Sequence, residues 1–218
     1  MFKKSLLSLA VAASFSVFSL PASADIFVWQ DPEIKLSVTY PDRWDRVISR
    51  QPDELFAVAA PGENDHAICR LRTRADRRFA IYPPRVSRNV QHLGVSYDFW
   101  ESYVGEYDNA VLHKVSDDAA LGRGFGSYAD VSYFTATGPK MQKRGLMFAS
   151  LYNNTLYILD CSAEASAYYK WHDSFLSVAK SVDFRKEIHE LPNGDYRTFW
   201  KDPKLKIHGL RDVDAVYY

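Results

Sequence analysis

The sequence predicts an α+β protein built on a mainly antiparallel sheet with helices on its faces, and three observations carry that expectation. Adjacent strand-like runs are joined by short turns, and only two segments of good helical periodicity separate them, whereas a doubly wound parallel sheet needs a crossover between most strand pairs. Residues 144–184 read as a hairpin followed by a helix. Asn153-Asn154 lies between two apolar runs, and Asn tolerates the positive φ of a two-residue type I′ turn, which pairs Tyr152 with Thr155. Extending that register puts Leu146, Phe148, Tyr152, Tyr157, Leu159 and Cys161 on one face and Met147, Ala149, Leu151, Leu156 and Ile158 on the other. Both faces are apolar. A half-solvated strand alternates apolar with polar, so these two strands belong mid-sheet in a three-layer architecture.

Taken in order, the chain opens on a segment outside the fold. Lys3 and Lys4 precede an apolar run from Leu6 to Leu20, and Ala22-Ser23-Ala24 is a small-residue cleavage site, so residues 1–24 read as a signal peptide. The mature chain is expected to start at Asp25 and to be periplasmic or secreted. Its 194 residues keep 25 Lys and Arg against 27 Asp and Glu, a formal charge of −2. That balance argues against a nucleic-acid binder. The length suits one domain with a substantial core, and no later stretch is long and apolar enough to span a membrane.

Residues 34–40 alternate Ile34, Leu36, Val38, Tyr40 with Lys35, Ser37, Thr39, a strand with one buried face. Pro41 stops it, and Trp44 is expected to fold back on the sheet. Residues 55–60 and 66–73 read as two strands around a Pro-Gly turn, followed by a polar connection through Pro83-Pro84. Residues 97–109 carry Trp100, Tyr103, Val104 and Tyr107 at helical spacing. Residues 111–115 and 126–137 supply further strands before the hairpin. After it, Ser162 is expected to cap the second helix with Glu164 in its first turn, and Tyr168, Trp171, Phe175, Val178 and Val182 form its apolar stripe.

This order resembles a known family. A strand leading into Tyr40-Pro41-Asp42-Arg43-Trp44, then strands, a helix, a long meander, Leu156-Tyr157-Ile158-Leu159 and a helix ending Ala179-Lys180-Ser181-Val182-Asp183-Phe184 is similar to the PsbP and Mog1-like family, over residues 26–184. Val182-Asp183 interrupts the family's usual Ser-Phe ending. The resemblance implies an α/β/α sandwich around a central, mainly antiparallel sheet. It also implies a non-enzymatic accessory or binding protein, and it carries over no catalytic residues, since the matching motifs are structural.

Residues 185–218 form a tail that echoes the mature N-terminus. Trp29-Gln30-Asp31-Pro32-Glu33-Ile34-Lys35-Leu36 is repeated as Trp200-Lys201-Asp202-Pro203-Lys204-Leu205-Lys206-Ile207. The echo reads either as the first strand of a truncated second copy, able to dock on a sheet edge, or as chance use of a strand-start pattern.

Few residues offer chemistry. Cys69 and Cys161 are the only cysteines, and in an exported chain they either pair as a disulfide or serve as buried thiols. Arg70, Arg72 and Arg74 alternate along one strand, with Arg77 and Arg78 following. This basic stripe either recognises an oxyanion or an acidic partner, or is a solvated face balanced by Asp65, Asp76 and other acids. Tyr97 and Tyr169 fall outside the apolar stripes and join the arginines as candidate binding residues. The six histidines show no metal-ligand spacing. His172-Asp173-Ser174 holds the residue types of a triad, but consecutive helical residues cannot converge on one proton path. Gly122-Arg123-Gly124-Phe125-Gly126 lacks the Lys-Ser/Thr of a phosphate loop and precedes a strand, which suits a turn or bulge. Asn153-Asn154-Thr155 is a formal glycosylation sequon whose turn role suffices.

The expectation is therefore an exported, soluble, non-catalytic binding or accessory protein with a protein partner in the cell envelope, needing no cofactor and no metal. A small-ligand carrier or hydrolase-type enzyme with a pocket between sheet and helix is the alternative.

Overall fold

The computed structural model describes residues 26–33, 36–48, 51–62, 64–82, 92–122, 124–136, 138–152 and 154–184. The expected signal peptide, the start at Asp25 and the C-terminal tail lie outside them. In chain order the elements are β1 (Ile26–Asp31), β2 (Leu36–Pro41), β3 (Asp45–Arg46), β4 (Glu54–Ala59), β5 (Ile68–Ala75), a 3₁₀ turn (His92–Val95) and α1 (Tyr97–Val104). After them come β6 (Asp108–Leu121), β7 (Gly124–Phe134), β8 (Gln142–Tyr152), β9 (Thr155–Glu164) and α2 (Tyr168–Ser181).

Seven strands form one sheet in the order β3-β4-β5-β9-β8-β7-β6, and every neighbouring pair is antiparallel. The chain lays down β3, β4 and β5, crosses to the far edge through α1, and returns as a meander until β9 meets β5. The hairpin of β8 and β9 is accordingly central. Tyr152 pairs with Thr155 as the turn chemistry requires, and Asn154 adopts φ 59°.

Each face of that hairpin feeds its own core. Leu146, Phe148, Tyr157, Leu159 and Cys161 pack with Phe56, Val58, Leu71, Phe175 and Val178 on the first face, beneath α2. Met147, Ala149, Leu151 and Ile158 pack with Trp100, Tyr103 and Val104 of α1 on the second. The second layer is pinned by polar contacts as well: Trp100 Nε1 donates to Ser127 Oγ at 2.7 Å, and Ser127 Oγ donates to the Val95 carbonyl. On the first face β1 and β2 make a separate two-stranded sheet beside α2. Asp183 bridges to Ser37, and Ser181 Oγ donates to the Thr39 carbonyl at 2.8 Å. Trp44 does fold back: its N–H donates to the Pro41 carbonyl, and its ring meets Trp171 and Phe175 edge-on.

Two expectations need correction. Ser162 is not a helix cap: β9 runs through Glu164, paired on both sides by β5 and β8, and Ser162 Oγ accepts from Tyr133 OH at 3.1 Å. Two ladders outweigh one capping bond, so α2 starts at Tyr168 with Ala167 at its cap. The first helix ends at Val104, because Gly105 closes it by bonding Glu101 and the chain turns into β6. Tyr107 consequently stacks on Tyr133, with ring centroids 4.3 Å apart, instead of extending the helical stripe. The Trp29 to Leu36 segment holds the end of β1, a turn in which Glu33 N–H donates to Asp31 Oδ1 at 2.8 Å, and the start of β2.

Candidate functional site

Strand β5 sorts its side chains by alternation. Cys69 and Leu71 enter the first-face core, so Arg70, Arg72 and Arg74 stand on the second face. Among the described residues, α1 and the 3₁₀ turn lie over β6, β7 and β8 on that face, and α1 side chains reach Leu156 and Ile158 of β9.

The structure distributes the basic stripe among several partners. Arg70 Nε lies 3.7 Å from Glu54 Oε2, and Arg74 Nε is 3.1 Å from Asp53 Oδ2. Arg78 forks onto Asp76, with Nη2 at 2.6 Å from Oδ2, and also donates to the Gly94 carbonyl, which ties this loop to the 3₁₀ turn. The Arg78 hydrogen bonds hold the Asp76 carboxyl below its usual range. Arg77 is exposed. Asp65 does not belong to this balance: it sits on the first face, where Lys170 Nζ and Trp171 Nε1 both donate to its Oδ2, at 2.5 and 2.9 Å.

Arg72 is the exception within the stripe. It is buried beside Tyr103, Tyr107 and Asp160; burial works against its charge, and these groups together with Asp53 outweigh that penalty. Asp160, directly opposite Arg70 on β9, is also buried and accepts from Tyr107 OH at 3.3 Å. Arg72 Nε, Asp160 Oδ1 and Tyr103 OH have no hydrogen-bond partner among the described residues. Burial first, and Asp160 second, raise the hydroxyl pKa values of Tyr103, Tyr107 and Tyr133. Nearby, Lys143 Nζ donates to the His66 carbonyl at 3.0 Å, and burial with Arg70 beside it pushes its ammonium down to about 8.

Asp160, Lys143, Tyr107 and Tyr133 were not among the sequence candidates. A signal for Asp160 existed: it follows Leu156 and Ile158 on an otherwise apolar face, and a carboxylate there needs a polar environment.

The two candidate tyrosines do not join the stripe. Tyr97 is exposed at the start of α1 on the second face, and Tyr169 is exposed on α2 on the first. Tyr169 instead completes a cluster in which Arg144 forks onto buried Asp130 at 3.1 and 2.8 Å, donates to Tyr169 OH at 2.9 Å and lies over the Tyr168 and Tyr169 rings. Cys69 and Cys161 face each other across β5 and β9 and form a disulfide, with Cα atoms 4.0 Å apart. Among the described residues no group of three or more His, Cys, Asp or Glu is placed to hold a metal, and no helix is long and apolar enough to cross a membrane.

No family model and no curated protein matches the chain. Solved structures do. Cyanobacterial PsbP from Synechocystis sp. PCC 6803 aligns with a TM-score of 0.51 at 16% identity, over 74% of this chain and 94% of that one. The fold is PsbP-like. LpqN, involved in cell envelope biogenesis of Mycobacterium tuberculosis, aligns at a TM-score of 0.43 and 11% identity over 74% and 91% of the two chains. PA94 from Pseudomonas aeruginosa, a protein of unknown function, aligns at 0.38 and 10% over 74% and 99%. The PsbP-like sheet places the arginine stripe and the Asp160 cluster on the second face and the disulfide on the first, between the same two strands.

Proposed function

We propose that this PsbP-like chain is an exported, non-catalytic accessory protein that binds an acidic segment of a protein partner in the cell envelope, through the arginine row on its second face. The observation that carries this reading is the row of guanidinium groups from Arg70 to Arg78. The Arg74 and Arg78 side chains keep 47% and 55% of their surface exposed despite their ion pairs. Exposed pairs of this kind hold together by about 0–1 kcal/mol, so a denser array of carboxylates can replace Asp53 and Asp76 as partner. Arg77 adds a further exposed cation, while Arg72 serves as buried floor. The raised tyrosine pKa values support a non-catalytic reading, because they leave almost no phenolate at neutral pH to act as base or nucleophile. The disulfide supports export, since such bonds persist in oxidising compartments.

A small-ligand carrier is favoured instead by one observation: the unpartnered Arg72, Asp160 and Tyr103 atoms lie between sheet and α1, where a small polar molecule would find both donors and acceptors. One experiment separates the readings. The full-length chain is expressed in its native envelope, crosslinked and recovered with its partners, alongside an Arg74→Ala/Arg77→Ala/Arg78→Ala variant. Loss of the captured protein at an unchanged melting temperature is the expected outcome. Equal capture by both chains rejects the surface, and a small molecule released on denaturing the purified protein moves the reading to the carrier.

A further inference from the structure

The loop that follows β5 is tied down while its apolar side chains are left in solvent. Asp76 N–H donates to the Asn154 carbonyl at 2.8 Å, which joins the loop to the β8–β9 turn, and Arg78 Nη2 donates to the Gly94 carbonyl of the 3₁₀ turn at 3.1 Å. Two successive turns follow. Ala80 N–H donates to the Arg77 carbonyl at 3.0 Å, and Tyr82 N–H donates to the Phe79 carbonyl at 3.1 Å. Phe79 itself packs against the second-face core. Gly94 permits that approach, since a Cβ there would stand 2.8 Å from Phe79 Cε2 and 3.1 Å from Arg78 Nη2.

The same fixing leaves Ile81 and Tyr82 outside the packing, 83% and 45% exposed. The Tyr82 ring is tilted against Phe79, with centroids 6.4 Å apart. Tyr97, 52% exposed, stands three residues beyond Gly94 and so has its Cα within about 11 Å of that glycine. Apolar residues exposed singly are ordinary. Here they gather around one anchored junction, directly after the exposed cations Arg77 and Arg78. A loop already ordered by its own bonds gives up little further freedom on binding, and tyrosine offers a broad ring with a polar tip.

The distance from the cations to the apolar ledge sets the spacing of an occupant. A hydrogen-bonded turn holds its first and fourth Cα atoms within about 7 Å, so about 7–10 Å separates Arg77 and Arg78 from Ile81 and Tyr82. An extended peptide covers that distance in two or three residues, at about 3.3 Å each. We infer that the segment bound by the arginine row is not acidic alone: it carries an aromatic side chain two or three residues from its carboxylates, and that ring covers Ile81 and Tyr82 with Tyr97 within reach. This rests on the proposed reading of the arginines and names what else the partner must offer. A lipid surface of negative charge fits less well, because it would face Asp53 and Asp76 together with the arginines they pair with, whereas one segment can align its carboxylates with the guanidinium groups alone.

The test measures binding of two fluorescein-labelled peptides to the full chain by anisotropy at low ionic strength. Both peptides have the same length and the same cluster of Glu among Ser; in one, a single Ser three positions from the cluster is replaced by Phe. The Phe peptide is expected to bind at least about tenfold more tightly, within what burial of one aromatic ring supplies. In Ile81→Ser/Tyr82→Ser the two peptides are expected to bind alike, at the affinity of the Ser peptide for the unaltered chain. Ile81→Ser alone, at the more exposed position, is the second variant and should reduce the preference at least threefold. Equal binding of both peptides by the unaltered chain overturns the inference and leaves the acidic-segment reading standing, while binding of neither removes both. A preference for Phe that survives in the variants places the ring elsewhere and overturns the inference as well. So does sedimentation of the chain with phosphatidylglycerol vesicles that is lost in the double variant, which assigns the ledge to a lipid surface.

Discussion

Lys143 lies on the second face between a cation, Arg70, and an acid, Asp160, and it gives the molecule a pH signature. The unfolded chain holds a lysine proton to about 10.5, whereas folded Lys143 releases its proton near pH 8. Between those values the unfolded state binds more protons, so stability rises with pH. Above pH 10 the sign reverses: Tyr103, Tyr107, Tyr133 and Tyr168 have pKa values raised by burial first, so the folded chain keeps protons that the unfolded chain loses. Urea melts across pH 6–11 are expected to show maximum stability near pH 9–10. Lys143→Met should flatten the rising limb and stabilise the protein at pH 7 by up to roughly 3 kcal/mol, the free-energy equivalent of the pKa difference, less the lost bond to the His66 carbonyl. The arginines of β5 were legible in the sequence because alternation alone fixes their face. Their partners were not, because Glu54, Asp53 and Asp160 reach them through strand neighbours that no local pattern encodes.

At the scale of elements, the central hairpin was the most legible part, down to its register and to which core each side chain enters. Asn154 and two unbroken apolar faces leave little choice of register. Helix ends were less legible: Ser162 has a capping residue's chemistry, yet it lies between two strands whose pairing is decided by residues far along the chain. β1 escaped notice because its exposed Ile26, Phe27 and Val28 show no alternation. Two predictions belong here. A Cβ at Gly126 would overlap the Ala149 carbonyl oxygen of the neighbouring strand. Gly126→Ala should therefore cost about 1–3 kcal/mol or more in a denaturant melt, as backbone overpacking does. Replacing both cysteines by Ala should cost roughly 4 to 5 kcal/mol by the chain-entropy estimate, read as a lower midpoint with both cores intact in hydrogen exchange.

Across the whole molecule, two cores share one sheet, and β8 and β9 contribute to both. Their amides are the ones expected to exchange only through global unfolding. The three-layer arrangement was legible because a hairpin apolar on both sides admits nothing else. The crossing from β5 to the far edge was not, since β5 pairs with β9, a strand that follows only after α1 and three further strands. That late pairing is also where the disulfide sits, joining residues 92 positions apart. With two cysteines in the chain, no scrambled intramolecular isomer exists. During N-to-C synthesis Cys69 emerges first and stays a solitary thiol until β6 to β9 have followed. The error open to it is capture by another molecule's thiol, so failed biogenesis would leave covalent dimers that vanish on reduction.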